Sequence, residues 1–370
     1  MGSVAAAAAE GKGDREEEEG AKALLALLQR VQSEALRLLG PVDFDPKLYV
    51  DLPLAPGADR AAAESALASV ATREEMEAYL ARYFAAAGSD LLAADPPDFD
   101  PEPRGFLPRV AAGGEARAWA LQVHALWKDL ARRVAPDVAA RPGRHTLLPL
   151  PGRVVVPGSR FREVYYWDSY WVVRYMEQDI AVFAELIGDK AAAEIFSGAS
   201  KAHAIRQSET ICGILRWNGE SLTLASPHRP GLVPFLDEAK SVRVMRSLQT
   251  SGLVYPAGIA TSVSNTGQQW DFPNGWAPLQ HLITEGLLNS GSTEAKKFAE
   301  DIATRWVRTN YAAYKSTGAM HEKYDVEACG KSGGGGEYKP QTGFGWSNGV
   351  LLSFMEEFGW SQDKEIGCLS

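Results

Sequence analysis

Apolar positions along the chain recur mainly with a helical period. Leu24, Leu28, Val31, Ala35 and Leu38 fall on one face, and Gly40-Pro41 supplies a stop after them. A second helix is expected to start at Thr72, where Thr72 and Glu75 have capping-box spacing ahead of Met76, Tyr79, Leu80 and Tyr83. Residues 86–114 are rich in Pro, Gly and Asp and read as a loop. A third helix is expected over Glu115 to Val134, with Trp119, Val123, Leu126, Leu130 and Val134 on one side. Leu147 to Val156, punctuated by Pro149 and Pro151, reads as extended and irregular chain. Further helices are expected at about 166–187, 189–205, 277–289, 293–315 and 347–358. For the last of these, Ser347 is the candidate N-cap and Gly359 the stop. Residues 206–236 carry no sustained period and read either as a long surface loop or as a segment foreign to a packed domain. Strands are nearly absent from this reading, and the class expected is all-α.

The ends and the composition narrow the function. Five alanines and a largely acidic stretch from Asp14 to Glu19 precede the first periodic helix, so residues 1–20 read as a disordered tail, with order beginning near Ala21. This stretch has no basic n-region and too short an apolar run for a secretory signal, and no later run approaches a membrane span. A soluble chain with no evident membrane span is expected. The net charge of -9 argues against a nucleic-acid partner, which calls for a basic face. Apolar residues make up 45% of the 370, enough to bury a sizeable core. Cys212, Cys329 and Cys368 are odd in number and lack C-x-x-C spacing; they argue against a disulfide framework and leave room for one isolated bridge.

Candidate chemistry gathers in three places. Pro157-Gly-Ser-Arg-Phe-Arg-Glu-Val-Tyr-Tyr-Trp-Asp-Ser-Tyr170 packs charged groups and rings into fourteen residues. Such charges are costly in a core unless paired, so they suit a polar pocket or, more plainly, an ion-pair network at a helix start. Gln268-Gln-Trp-Asp-Phe-Pro-Asn-Gly-Trp-Ala-Pro278 joins amides and a carboxylate, which bind hydroxyls, to tryptophan faces, which stack on sugars as well as in cores. The third place runs from Met320-His-Glu-Lys-Tyr-Asp325 through Gly330-Lys-Ser-Gly-Gly-Gly-Gly-Glu-Tyr338 to Gly343-Phe-Gly-Trp-Ser-Asn348. Asp325 stands where a zinc-protease helix needs its second histidine and where a P-loop needs its first glycine, and Gly343-x-Gly345 ends in Asn348 after no expected strand. Taken alone, this third place reads as a flexible polyglycine turn in a surface loop beside Glu322, Asp325 and Glu337.

Together the three stretches resemble the signatures of the α,α-trehalase family, most closely those of plants. The pattern P-G-G-R-F-x-E-x-Y-x-W-D-x-Y matches 157–170 with Ser159 as the one departure, and Q-W-D-x-P-x-G-W-x-P matches Gln269 to Pro278 throughout. The runs E-K-Y-D, G-G-G-G-E-Y and G-F-G-W-[ST]-N-G-V match 322–325, 333–338 and 343–350. The resemblance covers about 21–205 and 237–368 and argues against another toroid enzyme such as a glucoamylase-like hydrolase.

It implies an (α/α)6 toroid that hydrolyses trehalose to two glucoses with inversion, without a metal or organic cofactor. By motif match Glu322 is the general base; Arg160, Trp167, Asp168 and Glu337 contact sugar; Asp271 and Asp325 support. Between the first and second signatures the family also carries an Asn-rich sugar-binding loop, an R-S-Q-P-P motif and a G-W-D-x-S-S-R-W motif whose Asp is the catalytic acid. None of these stands in this sequence. Val173-Arg174 runs directly into Tyr175-Met-Glu-Gln-Asp-Ile-Ala, which resembles a later family helix, and residues 206–236 match nothing until Asp237-Glu-Ala-Lys240. An internal deletion is expected, leaving an incomplete toroid with weakened activity; the alternative is a non-catalytic sugar-binding or regulatory protein on the same scaffold.

Overall fold

The computed structural model of the chain describes residues 2–41, 44–96, 99–158, 160–163, 165, 168, 171, 215–217, 222–224, 238–336 and 338–369. Its elements are α1 (Gly2–Leu39), α2 (Pro46–Val50), α3 (Arg60–Leu67), α4 (Arg73–Tyr83), β1 (Leu91–Ala93), α5 (Glu115–Ala125), α6 (Trp127–Leu130), β2 (Ala131–Val134), α7 (Pro136–Ala140), β3 (Arg153–Val155), β4 (Leu215–Trp217), β5 (Leu222–Leu224), α8 (Glu238–Thr250), β6 (Val254–Tyr255), β7 (Gly258–Ile259), β8 (Asn274–Trp276), α9 (Ala277–Leu288), α10 (Thr293–Thr317), β9 (Lys323–Asp325) and α11 (Gly345–Phe358). They fall into two units.

The first unit comprises Met1–Pro97, Leu130–Val156 and Arg160–Val164. α1 is assigned from Gly2; along it Leu24, Leu27, Leu28, Val31 and Ala35 are buried together with Tyr49, Leu54, Leu67, Met76 and Tyr79. The stripe expected from Leu24 is therefore the face that builds this core, and α1 stops at Leu39 before Gly40 in the left-handed region. α4 begins as its sequence announces. Thr72 accepts from the Glu75 amide at 3.2 Å, while the Glu75 carboxylate accepts from the Thr72 amide at 3.1 Å. Beside this core, β1, β2 and β3 form an antiparallel sheet in which Leu92 pairs with Arg133 and Arg132 with Val154.

That sheet corrects the expectation of a near strand-free, all-α chain. The helix expected to run on to Val134 ends at Ala125 and, after the single turn of α6, gives way to β2. Leu126, Leu130 and Val134 keep helical spacing, but Ala131–Val134 finds backbone partners on both sides, and those long-range ladders override local periodicity. About half of the described residues are helical, with short strands between.

The second unit comprises Asp98–Asp129, Pro157–Ser159 and Tyr165–Ser370. Met245 and Leu248 of α8, Leu287 of α9 and Ala295, Phe298, Ala299 and Ile302 of α10 close one core with Ile259. α9 carries Pro278 in its first turn, α10 is capped by Ser292 and stopped by Gly318, and Trp119 of α5 meets Tyr311 of α10 edge to face at 5.1 Å. One detail differs from expectation. α11 starts at Gly345 with Phe344 at the cap, and Ser347 instead donates its buried hydroxyl to the His321 carbonyl at 2.6 Å. Cys329 and Cys368 form the isolated bridge for which the cysteine count left room. Within 206–236, β4 and β5 pair antiparallel; the other positions there, and nearly all of the helices expected at 166–187 and 189–205, lie outside the described residues.

The capping box at Thr72 is expected to be worth about 1 kcal/mol. Thr72→Ala should lower the free energy of urea unfolding by that amount and Thr72→Ser should leave it nearly unchanged; equal losses in both would mean that the hydroxyl is not what holds the start of α4.

Candidate active site

Strand pairing brings the second and third signature stretches together. β8 and β9 run antiparallel, with Asn274 opposite Asp325, Gly275 opposite Tyr324 and Trp276 opposite Lys323. Both strands are buried, and Glu322, immediately before β9, is only 1% exposed. Polyglycine then lies on this pair. Asn274 clasps Gly334 through both of its amide atoms, each at 3.0 Å, the Gly333 amide donates to the Lys323 carbonyl at 2.9 Å, and the Gly336 amide donates to the Gly267 carbonyl at 3.0 Å. A Cβ at residue 333 would stand 2.5 Å from Asn274 Oδ1, and one at 335 would stand 2.5 Å from the Gly267 carbonyl with φ in the left-handed region. Glycine is therefore required for close approach. The surface-loop reading of this run is corrected in part: Gly334, Gly335 and Gly336 are exposed, but the run packs against both strands and the carboxylates of Glu322 and Asp325 are buried.

The packed run delivers Tyr338 and Gln341 to Glu322. The Tyr338 hydroxyl donates to Glu322 Oε1 at 2.6 Å and the Gln341 backbone N–H donates to Oε2 at 3.1 Å. Behind the carboxylate, Trp346 Nε1 donates to the Glu322 carbonyl at 2.9 Å, and Trp346 meets Trp276 edge to face at 5.5 Å. Trp270, half exposed, stacks on buried Trp276 at 3.9 Å. The opening of the first stretch docks here too, since the Gly345 amide donates to the Pro157 carbonyl at 2.7 Å.

Of the residues singled out from sequence, Glu322 and Asp168 are brought into electrostatic reach of each other. Asp168 is buried; that burial, reinforced by the negative charge of Glu322, pushes its carboxyl up to about 7. Two carboxyl groups thus stand in different environments, one receiving hydrogen bonds and the other favouring its proton near neutrality, which is the condition for dividing acid and base roles. Arg160 lies in the first unit, where Asp45 holds its guanidinium. Trp167 and Glu337 lie outside the described residues.

Asp271 and Asp325 serve the loops. Asp271 accepts from Ser262 at 2.9 Å and from Thr266, bonds that hold its carboxyl below its ordinary range, and Asp325 accepts from Lys331 at 2.6 Å and from the Glu327 amide at 2.9 Å. The sequence reading did not single out Lys323, Tyr338 or Gln341. Lys323 is fully buried, donates to the Gly335 carbonyl at 3.2 Å and lies over Trp276 at 5.2 Å, and burial lowers its pKa. A lysine beside an acidic signature residue was its only visible signal.

A family model described as Trehalase matches residues 42–176 and 231–359. A probable trehalase of Oryza sativa subsp. japonica is 48% identical over 551 aligned positions, taking in 94% of this chain and 98% of the relative. A trehalase of Arabidopsis thaliana is 31% identical, over 93% of this chain and 87% of its own. The neutral trehalase of Saccharomyces cerevisiae, a solved structure, matches 51% of this chain and 37% of its own at 23% identity, with a TM-score of 0.27, a likeness too weak to bear on the fold.

The shifted Asp168 carboxyl predicts a pH-dependent stability. In the unfolded chain it ionises near 4, so between about pH 4 and 7 the native state holds the extra proton and stability falls as pH rises. Wild type should lose about 4 kcal/mol between about pH 4 and pH 8 relative to Asp168→Asn, measured by urea unfolding at the two pH values. Parallel pH curves for the two proteins would mean that Asp168 is not so perturbed.

Proposed function

The chain belongs to the trehalase family, and from that premise we propose that it takes α,α-trehalose as its ligand, with Glu322 as general base and Arg160, Trp167, Asp168 and Glu337 against the sugar hydroxyls. The setting of Glu322 carries this reading. A base that activates water must present a carboxylate in a fixed direction, and Tyr338 and Gln341 each donate to one of its oxygens. Trp270, half exposed and backed by buried Trp276, offers an apolar face of the kind that sugar rings pack upon.

Inverting hydrolysis also needs a carboxylic acid on the leaving oxygen, about 6.5–9.5 Å from the base. We propose that this chain lacks the family's donor, with the (α/α)6 toroid left incomplete. Three observations support this. No G-W-D-x-S-S-R-W stands in the sequence, the family match is interrupted between 176 and 231, and the alignment to the rice relative spans 551 positions against the 370 residues present here. Sugar binding with little turnover is the functional consequence, and it makes the sugar-binding or regulatory alternative a consequence of the same missing segment.

Glucose release from trehalose by purified chain, folded by circular dichroism, tests both parts. Turnover should lie about 10²–10⁴-fold below that of a relative carrying both groups, with trehalose binding retained and the residue of activity removed by Glu322→Gln. Vigorous turnover lost in Glu322→Gln would overturn the missing-donor reading and point to Asp168 as the acid. A folded chain that binds no trehalose would overturn the substrate.

A further inference from the structure

Three charged side chains of the first signature stretch are tied to a segment that belongs to none of the motifs. Arg160 donates through Nε and Nη2 to Asp45 Oδ2 and Oδ1 at 2.9 and 2.5 Å. Glu163 accepts from the Lys47 ammonium, and Arg162 donates to the Ala87 carbonyl. The partners are themselves held. Asp45 is the N-cap of α2 and accepts from the Lys47 amide at 3.0 Å; the Lys47 ammonium, largely buried, also donates to both oxygens of buried Asp51 at 2.6 Å. The Asp51 carbonyl in turn accepts from the Gly88 amide at 3.0 Å, next to Ala87. One helical turn and its two flanking aspartates therefore grip residues 160–163 at several points.

Stability is a poor account of the outer pair, Asp45 with Arg160. Asp45 is half exposed, and ion pairs of that kind contribute little. What a two-point pair does supply is direction: two parallel N–H bonds fix the plane of the guanidinium, which one ammonium–carboxylate contact cannot do. The bond from Arg160 is the chief reason that the Asp45 carboxyl lies below its ordinary range, so the pair is coupled. Nearby, burial together with Glu163 pushes Asp51 up to about 7 against the opposing pull of Lys47, as expected where two carboxyl groups share one ammonium.

We infer that α2 and its flanking aspartates are a positioning element for ligand binding: Asp45, with Lys47 and Asp51 behind it, holds Arg160 in the orientation in which it meets the sugar. This rests on the reading of Arg160 as a sugar contact. Asp45, Lys47 and Asp51 touch no ligand; they act through residues 160–163.

Calorimetric titration of the full chain with trehalose tests it. Asp45→Asn should weaken the Kd about tenfold, and Arg160→Gln at least as much. The double variant should bind no more weakly than Arg160→Gln alone, because Asp45 acts only through Arg160. Glu64→Gln, which removes the Arg60 pair of α3 in the same unit, should leave the Kd unchanged. An unchanged Kd in Asp45→Asn, a tighter one (Asp45 then competing with the sugar), or additive losses in the double variant would each overturn the inference. Should Asp45→Asn fail to fold, Lys47→Arg decides, since it keeps the charge but alters the reach: a Kd several-fold weaker supports the positioning and an unchanged one overturns it. Wild type that binds no trehalose, or binding indifferent to Arg160→Gln, would fell the sugar-contact reading itself, a result distinct from binding that needs Arg160 but not Asp45.

Discussion

Three antiparallel residue pairs between β8 and β9 are the constraint on which the candidate site depends. A ladder this short is weak by itself. It persists because each strand is also held from the side: Asn274 by the Gly334 backbone, Lys323 by the carbonyl of Gly335 and the ring of Trp276, and Tyr324 by the His321 amide that donates to its hydroxyl at 3.0 Å. The direction of Glu322 follows from the register. A slip of one residue would exchange the sides of Lys323, Tyr324 and Asp325 and put a charge where Tyr324 now packs on Trp306 at 5.3 Å. Such a slip is strongly disfavoured, because all three side chains are buried.

Burying that many charged groups sets the second condition. An isolated ion in an apolar interior costs far more than a domain's net stability, so each must be compensated or neutralised. Asp325 has Lys331 and a backbone amide, Lys323 has a carbonyl, an aromatic face and the attraction of Glu322, and Glu322 has a phenol and an amide. Asp168 is placed differently. It lies buried under the repulsion of Glu322, and its response is to keep a proton. The two carboxyl groups are thus compensated unequally, Glu322 by hydrogen bonds and Asp168 by a raised affinity for its proton.

The sequence displayed whatever was encoded within one or two helical turns. The stripe from Leu24, the Thr72–Glu75 box, Pro278 in the first turn of α9 and the extents of α9 and α10 are local signals, read from neighbours in the chain. Strands of two to four residues carry too few positions for a period-two pattern, and β2 even imitates helical spacing. Ser347 shows the same limit: a serine ahead of an apolar run satisfies the capping rule, but the His321 carbonyl, 26 residues away, takes its hydroxyl. In the site, the acidic residues and tryptophans were visible as motif members. Tyr338 and Gln341, which orient Glu322, were not singled out, since nothing in residue type says where a tyrosine hydroxyl will point once a run of glycines has folded flat. Asp45 and Lys47 lie more than a hundred residues from Arg160 and Glu163 and belong to none of the motifs.

On the proposed reading of Glu322 as the base, the two catalytic functions of an inverting glycosidase place different demands on the chain, and this difference would let one outlast the other. The bonds that orient Glu322 here come from residues 16, 19 and 24 positions away, so this half of the chemistry is built almost locally once β8 supplies a partner for β9. A proton donor must stand across the glycosidic bond from the base, separated by the substrate and a water, and no hydrogen bond to the base can place it. Its position has to be inherited from packing far from Glu322 in sequence. Loss of a central segment would therefore remove the donor and its supports together while leaving the base, its hydrogen bonds and its tryptophans in place.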